Sequence, residues 1–172
     1  MLGLFLAAVF IALNGFFVAA EFAFVKMSTT LAGTQRAPRE DPGITRARAI
    51  VTRIDRYLSV TQLGITLASL GLGWIGEPAL EAIVDAGFHA ALGHSPGKYV
   101  QYVSVALAFT LLTFGHVLFG ELVPKLIAIQ RSEKVAFFSA APLQFVFMVF
   151  RPLLWILEKA THLILRAMGL SA

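Results

Sequence analysis

The chain has 172 residues, of which 58% are hydrophobic and only 14% charged, with a mean hydropathy of +0.77. That composition excludes an ordinary soluble domain and belongs to the membrane class, and the lack of cysteine excludes disulfides, thiolate metal sites and thiol chemistry. The formal net charge of +4 does not mark a nucleic-acid binder, because its 14 Lys and Arg are distributed by topology: seven between Lys26 and Arg56, six between Lys125 and Arg166, and Lys98 alone in the connection after Trp74.

Leu2–Val25 forms the first span (2–26 with its flanking lysine), with Asn14 and Glu21 as its strongly polar members. It is long enough to cross, since a spanning helix needs about 20 residues. A basic leader and a small-residue cleavage site are both lacking, so it reads as a retained helix. Ser28–Pro42 has the turn residues and charges of a loop. Arginines then alternate with apolar residues from Ile44 to Tyr57, the pattern of a basic helix along the membrane surface or of a solvated helix.

The second span, 57–73, is apolar but wet, with Ser59, Thr61, Gln62, Thr66 and Ser69 and glycines at 64, 71 and 73. Short, glycine-interrupted spans often mark substrate sites in transporters. The sequence WIGEP (74–78) predicts a break, followed by a short amphipathic helix over Pro78–Leu92. Its Glu81, Asp85 and His89 make an acidic ladder best read as a solvated face. HSPGK (94–98) turns the chain into the third span, 99–130. Beyond it, Val135–Ala141 is too short to cross. Leu143–Leu170 is interrupted by Arg151, Pro152, Glu158, Lys159, His162 and Arg166, which predicts juxtamembrane helices in the interface over 133–170. A fourth crossing is the competing reading. The expected architecture is therefore an all-α integral membrane protein of three transmembrane helices and a juxtamembrane amphipathic belt. The positive-inside pattern puts its N-terminus outside and its C-terminus in the cytoplasm.

The third span holds the most informative stretch, TFGHVLFGELVPKLIAIQ (113–130). Glu121 is a carboxylate where hydrocarbon is expected, and an ionisable residue there is a functional-site hypothesis by default. Pro124 cannot donate to the carbonyl four residues back, which belongs to Gly120, so a loosened carbonyl and a carboxylate adjoin at one kink. The competing reading is a kinked helix whose Glu121 pairs with Lys125. Counting ~1.5 Å per residue from the inner boundary, Glu21, Asn14, Gln62, Thr66, Ser69 and Glu121 overlap in depth, which implies one shared polar pocket. Hydrogen-bond glue between helices is the plainer alternative for the neutral residues. His116, five residues from Glu121, reads as a helix-contact residue on another face. With only oxygen ligands in reach, such a pocket suits magnesium, calcium or sodium.

Three stretches carry a family resemblance: NGFFVAAEFAFVK (14–26), YLSVTQLGITLASLGLGWIGEP (57–78) and GHVLFGELVPKLIAIQ (115–130). Together they resemble the transmembrane domain of the CNNM/CorC family, in its bacterial hemolysin-like branch, over essentially all of 1–172. The resemblance implies magnesium export across the plasma (inner) membrane from an inward-facing cavity, with sodium as the coupling ion. It also implies a multi-pass homodimer in lipid, whose cytosolic CBS pair and CorC domain lie outside these 172 residues. Glu121, Pro124 and Lys125 match the family's GE-x-x-PK motif, and Glu21 its first-span glutamate. Many members have serine at Val18 and Ala20 and asparagine at Ile65, Thr66 and Ser69, so the ligand set here is Glu121 and Gly120 with Thr66, Ser69, Gln62 and Asn14. Glu21, Pro124 and Lys125 support it. An enzyme is not expected, for want of a nucleophile–base pair, phosphate loop or cofactor fingerprint. The rival reading is a membrane anchor and dimerisation module with no transport of its own.

Overall fold

The computed structural model describes residues 1–32, 42–92 and 98–169, all helical or in short turns and without a strand among them. Six α-helices follow in order: α1 (Leu2–Ala32), α2 (Pro42–Val51), α3 (Ile54–Leu92), α4 (Lys98–Gly115), α5 (Val123–Gln130) and α6 (Ser132–Ala167). A π-helical segment, His116–Leu122, joins α4 to α5. The expected loop from Ser28 starts later, because α1 continues to Ala32. Most of the remaining loop, and all of the 94–98 turn except Lys98, lie outside the described residues.

Two expected breaks are absent. Pro78 lies inside α3, which runs unbroken for 39 residues where a 57–73 span, a break and a short helix were expected. A proline inside a helix forfeits one hydrogen bond and costs about 3 kcal/mol. Packing on both sides of it holds the axis here: Gly76 abuts Ala7 and Leu112, and Gly3 lies directly against Ala79. Likewise α6 is one 36-residue helix through Pro142 and Pro152, not two pieces. On the first of those turns Ala136, Ser139, Ala140 and Leu143 are buried. The three-span expectation is corrected accordingly: four helices are long and apolar enough to cross a membrane, Leu2–Thr29, Ile54–Ala91, Tyr99–Gln130 and Ser132–Ala167.

The hub is α1, which packs on every other element except α4. Against α3 it runs antiparallel, and its aromatic rings lie on glycines: Phe10 over Gly71 and Phe17 over Gly64, seven residues apart on both helices. Helices in lipid associate by close packing and hydrogen bonds, not by hiding apolar surface from water, so small residues at the seam matter. At the other seam Gly15 of α1 faces the Pro124 ring and the Phe119 carbonyl; a Cβ there would come within 2.9 Å of the ring and 3.2 Å of the oxygen. The main core gathers Phe17, Phe24, Ile50, Val60 and Leu143 with the small residues Ala20, Ala23, Ala47, Ala128, Ala136 and Ala140. It ties α2 and the start of α6 to the C-terminal half of α1, and Tyr57 stacks on Phe147 with centroids 4.9 Å apart.

Candidate functional site

The chemistry begins with a backbone consequence of Pro124. Because proline has no N–H, the Gly120 carbonyl loses the partner an α-helix would supply. The turn before it widens into the π form, in which the Val123 N–H donates to the Leu118 carbonyl five residues back. Such π segments often occur at functional positions. The Gly120 carbonyl is taken instead by another helix: Asn14 Nδ2 donates to it at 2.9 Å. Asn14 is fully buried at 0% exposure, and the close approach that lets it reach depends on Gly15 beside it.

The other side of that amide continues the seam. Ser69 Oγ donates to Asn14 Oδ1 at 3.2 Å and lies 3.5 Å from His116 Nε2, the outer limit for a hydrogen bond. The imidazole in turn covers Gly120, where a Cβ would meet its Cδ2 at 2.9 Å. Thus Asn14, Ser69, His116 and Gly120 join α1, α3 and the π segment in one polar seam. Glu121 follows directly, half-buried, and among the described residues it has no hydrogen-bond or ion-pair partner. Lys125 does not neutralise it within 4 Å; its ammonium lies over the Phe22 ring of α1, 4.5 Å from the centroid. The pairing of Glu121 with Lys125, weighed from the sequence, is therefore not formed.

The remaining expected residues lie elsewhere. Glu21 accepts from Thr61 Oγ1 at 2.8 Å, a second α1–α3 link; Thr61 is 2% exposed. Thr66 Oγ1 donates to the Gln62 carbonyl of its own helix. Gln62 and Thr66, with Ser59, line a groove of about 500 Å3 against Leu154, Glu158 and His162 of α6. The seam thus brings together Asn14, Ser69 and Gly120, next to Glu121, and leaves Gln62 and Thr66 on another flank. Among the described residues no three His, Asp or Glu side chains converge, so a charged cage is not what this arrangement offers. The acidic ladder of α3 behaves as a solvated face, with Asp85 and His89 paired at 3.5 Å and their side chains 38% and 46% exposed.

One participant, Thr61 as the partner of Glu21, escapes sequence reasoning. Thr61 is one of five hydroxyl or amide residues on its span, and only the antiparallel register that sets Phe17 on Gly64 also sets Thr61 beside Glu21. His116, read from the sequence as a helix-contact residue, is one: its Nε2 lies 3.5 Å from Ser69 Oγ of α3.

The chain matches the family model described as the cyclin M (CNNM) transmembrane N-terminal domain over residues 5–172. Among curated proteins it is 42% identical to the UPF0053 protein YhdT of Bacillus subtilis over 175 residues, covering 98% of this chain and 36% of that protein. It is 37% identical to YhdP of the same organism, over 99% of this chain and 38% of that protein. A more distant relative is the polyamine export protein of Haemophilus influenzae, 28% identical over 116 residues, 67% of this chain and 26% of that protein. The chain therefore spans little more than a third of the length of its Bacillus relatives.

Proposed function

We propose, for a chain that belongs to the CNNM transmembrane-domain family, that it is the membrane module of a magnesium exporter. Sodium is the proposed coupling ion, the plasma membrane its site and a homodimer its working form. The observation that carries this reading is Glu121: a carboxylate without a protein partner among the described residues, adjoining the Gly120 carbonyl at a widened turn. Mg2+ dehydrates reluctantly and is usually held by one or two carboxylates with several waters kept. One free carboxylate, flanked by neutral oxygens and no cage, suits a partly hydrated guest of that kind.

On this reading Glu121 supplies the charge. The Gly120 carbonyl keeps a second lone pair after accepting from Asn14 and turns it to the ion or its water. Ser69 Oγ and Asn14 Oδ1 serve the hydration shell by trading their mutual hydrogen bond for contacts to the guest. Transport is the rocking of α1 against the α3–π–α5 unit, along the glycine-faced contact of Gly15 with Pro124. No covalent chemistry is part of the proposal.

The test is Mg2+ titration of the purified chain in detergent, followed by flux in liposomes. Saturable protection against heat, lost in Glu121→Gln along with flux, is the expected result. Full flux in Glu121→Gln removes the carboxylate from the mechanism, and no saturable binding by the native chain favours the anchoring reading. A second cargo class follows from the Haemophilus relative's name, because an alkylammonium is also attracted to a lone carboxylate. Spermidine that protects the chain while Mg2+ does not would transfer the proposal to polyamines.

A further inference from the structure

The groove between α3 and α6 is not used by the polar seam. Its polar lining is Ser59, Gln62 and Thr66 on one wall and Glu158, Thr161 and His162 on the other. Residues three or four apart stack on a helix, so each wall is a single face. The α3 hydroxyls have no proton left to offer. Ser59 Oγ donates to the Asp55 carbonyl at 3.1 Å and Thr66 Oγ1 to the Gln62 carbonyl at 2.8 Å, and a hydroxyl has only one proton. Both therefore present lone pairs alone. Glu158 adds a carboxylate that has no hydrogen-bond or ion-pair partner among the described residues. Lys159 beside it is engaged elsewhere, with its ammonium 3.9 Å from the centroid of the Trp155 ring, and no Lys or Arg lines the groove. Leu63, Leu154 and Leu157 complete the walls.

We propose that this groove binds one primary ammonium carried on a short apolar body, as in an alkylamine. The lining selects that class. Acceptors without protons of their own call for a guest that brings N–H groups, and one carboxylate calls for one positive charge. An anion would face the Glu158 charge. A metal ion fits less well: with its first waters, at about 30 Å3 each, it fills under half of the roughly 500 Å3 and leaves the leucines against water. That volume is instead in the range of small-molecule pockets, about 300–1,000 Å3, which are mostly apolar with a few placed polar groups. A polyamine brings more charges than the single carboxylate can match. The ammonium sits at Glu158 with Gln62 and Thr66 as its neutral acceptors, and the alkyl body lies along the leucines. A free amine and the headgroup of phosphatidylethanolamine both offer this chemistry. Glu121 has no part in the groove, so the proposal stands or falls separately from transport.

The test follows the unfolding temperature in uncharged detergent while hexylamine is titrated into the native chain and into Glu121→Gln. A saturable rise is expected in both. It should be absent with 1-hexanol, which has the body without the charge, and at least about fivefold weaker with hexyltrimethylammonium, which has the charge without N–H donors. Glu158→Gln should weaken hexylamine at least about tenfold and Thr66→Val about fivefold, with Glu158→Asp keeping most of the affinity. Both positions are exposed, so these variants leave the core intact. No saturable rise, an equal effect of hexanol, or an affinity unchanged in Glu158→Gln overturns the proposal. A rise that Glu121→Gln abolishes puts the amine at the seam and also overturns it. So does protection by Mn2+ or Zn2+ that depends on Glu158 while hexylamine gives none, because the groove is then a metal site. Dihexanoyl phosphatidylethanolamine, with the matching phosphatidylcholine as its control, separates the two sources. Protection at a lower concentration than hexylamine assigns the ammonium to a lipid headgroup and the reverse order to a free amine; either order upholds the proposal.

Discussion

Replacing Asn14 by alanine isolates the bond on which the candidate site is built. The Gly120 carbonyl is buried, and Asn14 Nδ2 meets it at 2.9 Å. Pro124 denies it the usual backbone donor, so Asn14→Ala leaves a buried acceptor unsatisfied, at a cost of about 1–3 kcal/mol. Ser69 simultaneously loses its acceptor on Asn14, and an interhelical hydrogen bond in a membrane averages about 0.6 kcal/mol. The sum is about 2–4 kcal/mol, several times what ordinary polar glue would give. The decisive comparison is the same substitution in a Pro124→Ala background. That background restores a backbone N–H four residues from Gly120, so the carbonyl no longer depends on Asn14. Unfolding in mixed detergent micelles should then show Asn14→Ala costing about 1–2 kcal/mol less than with proline present, a coupling well above the ~0.5 kcal/mol scatter of independent sites. Additive losses within that scatter would refute the claim that Asn14 substitutes for the missing backbone donor.

Gly15→Ala should destabilise by about 1–3 kcal/mol in the same assay, as overpacking does, because its methyl group would meet the rigid Pro124 ring at 2.9 Å. Gly73→Ala has open space around it and should be neutral or stabilising by up to about 1 kcal/mol; similar losses at both glycines would show that packing at the α1 seam is not the cause. Thr61→Val removes the donor to Glu21 and should cost about 1 kcal/mol, with Thr61→Ser close to native; an unchanged unfolding midpoint in Thr61→Val would mean the bond contributes nothing. For binding, Ser69→Ala should weaken Mg2+ affinity about fivefold while Thr66→Val leaves it within about twofold, measured by titration calorimetry. The reverse order would place the ion in the groove against α6.

Much of this protein is legible in its residues taken alone. Long apolar runs prescribe membrane helices, because lipid offers no partner to an open backbone. The run over 99–130 is one continuous helical crossing candidate, as expected. Pro124 announces a loosened carbonyl at Gly120 because the missing N–H is a covalent fact, true in any fold. Tertiary contacts decided the rest. Whether Pro78, Pro142 and Pro152 end a helix depends on what packs on each side of them, since a local cost of about 3 kcal/mol is smaller than what a well-filled seam can offset. The stripe Ser59, Gln62, Thr66, Ser69 has the spacing of a single face, yet α6 lies over its first three members and Asn14 of α1 reaches only the last. Helical phase is a local property. A 39-residue helix, however, outlasts any one partner, and which neighbour stands at each depth is set by crossings that no single helix encodes.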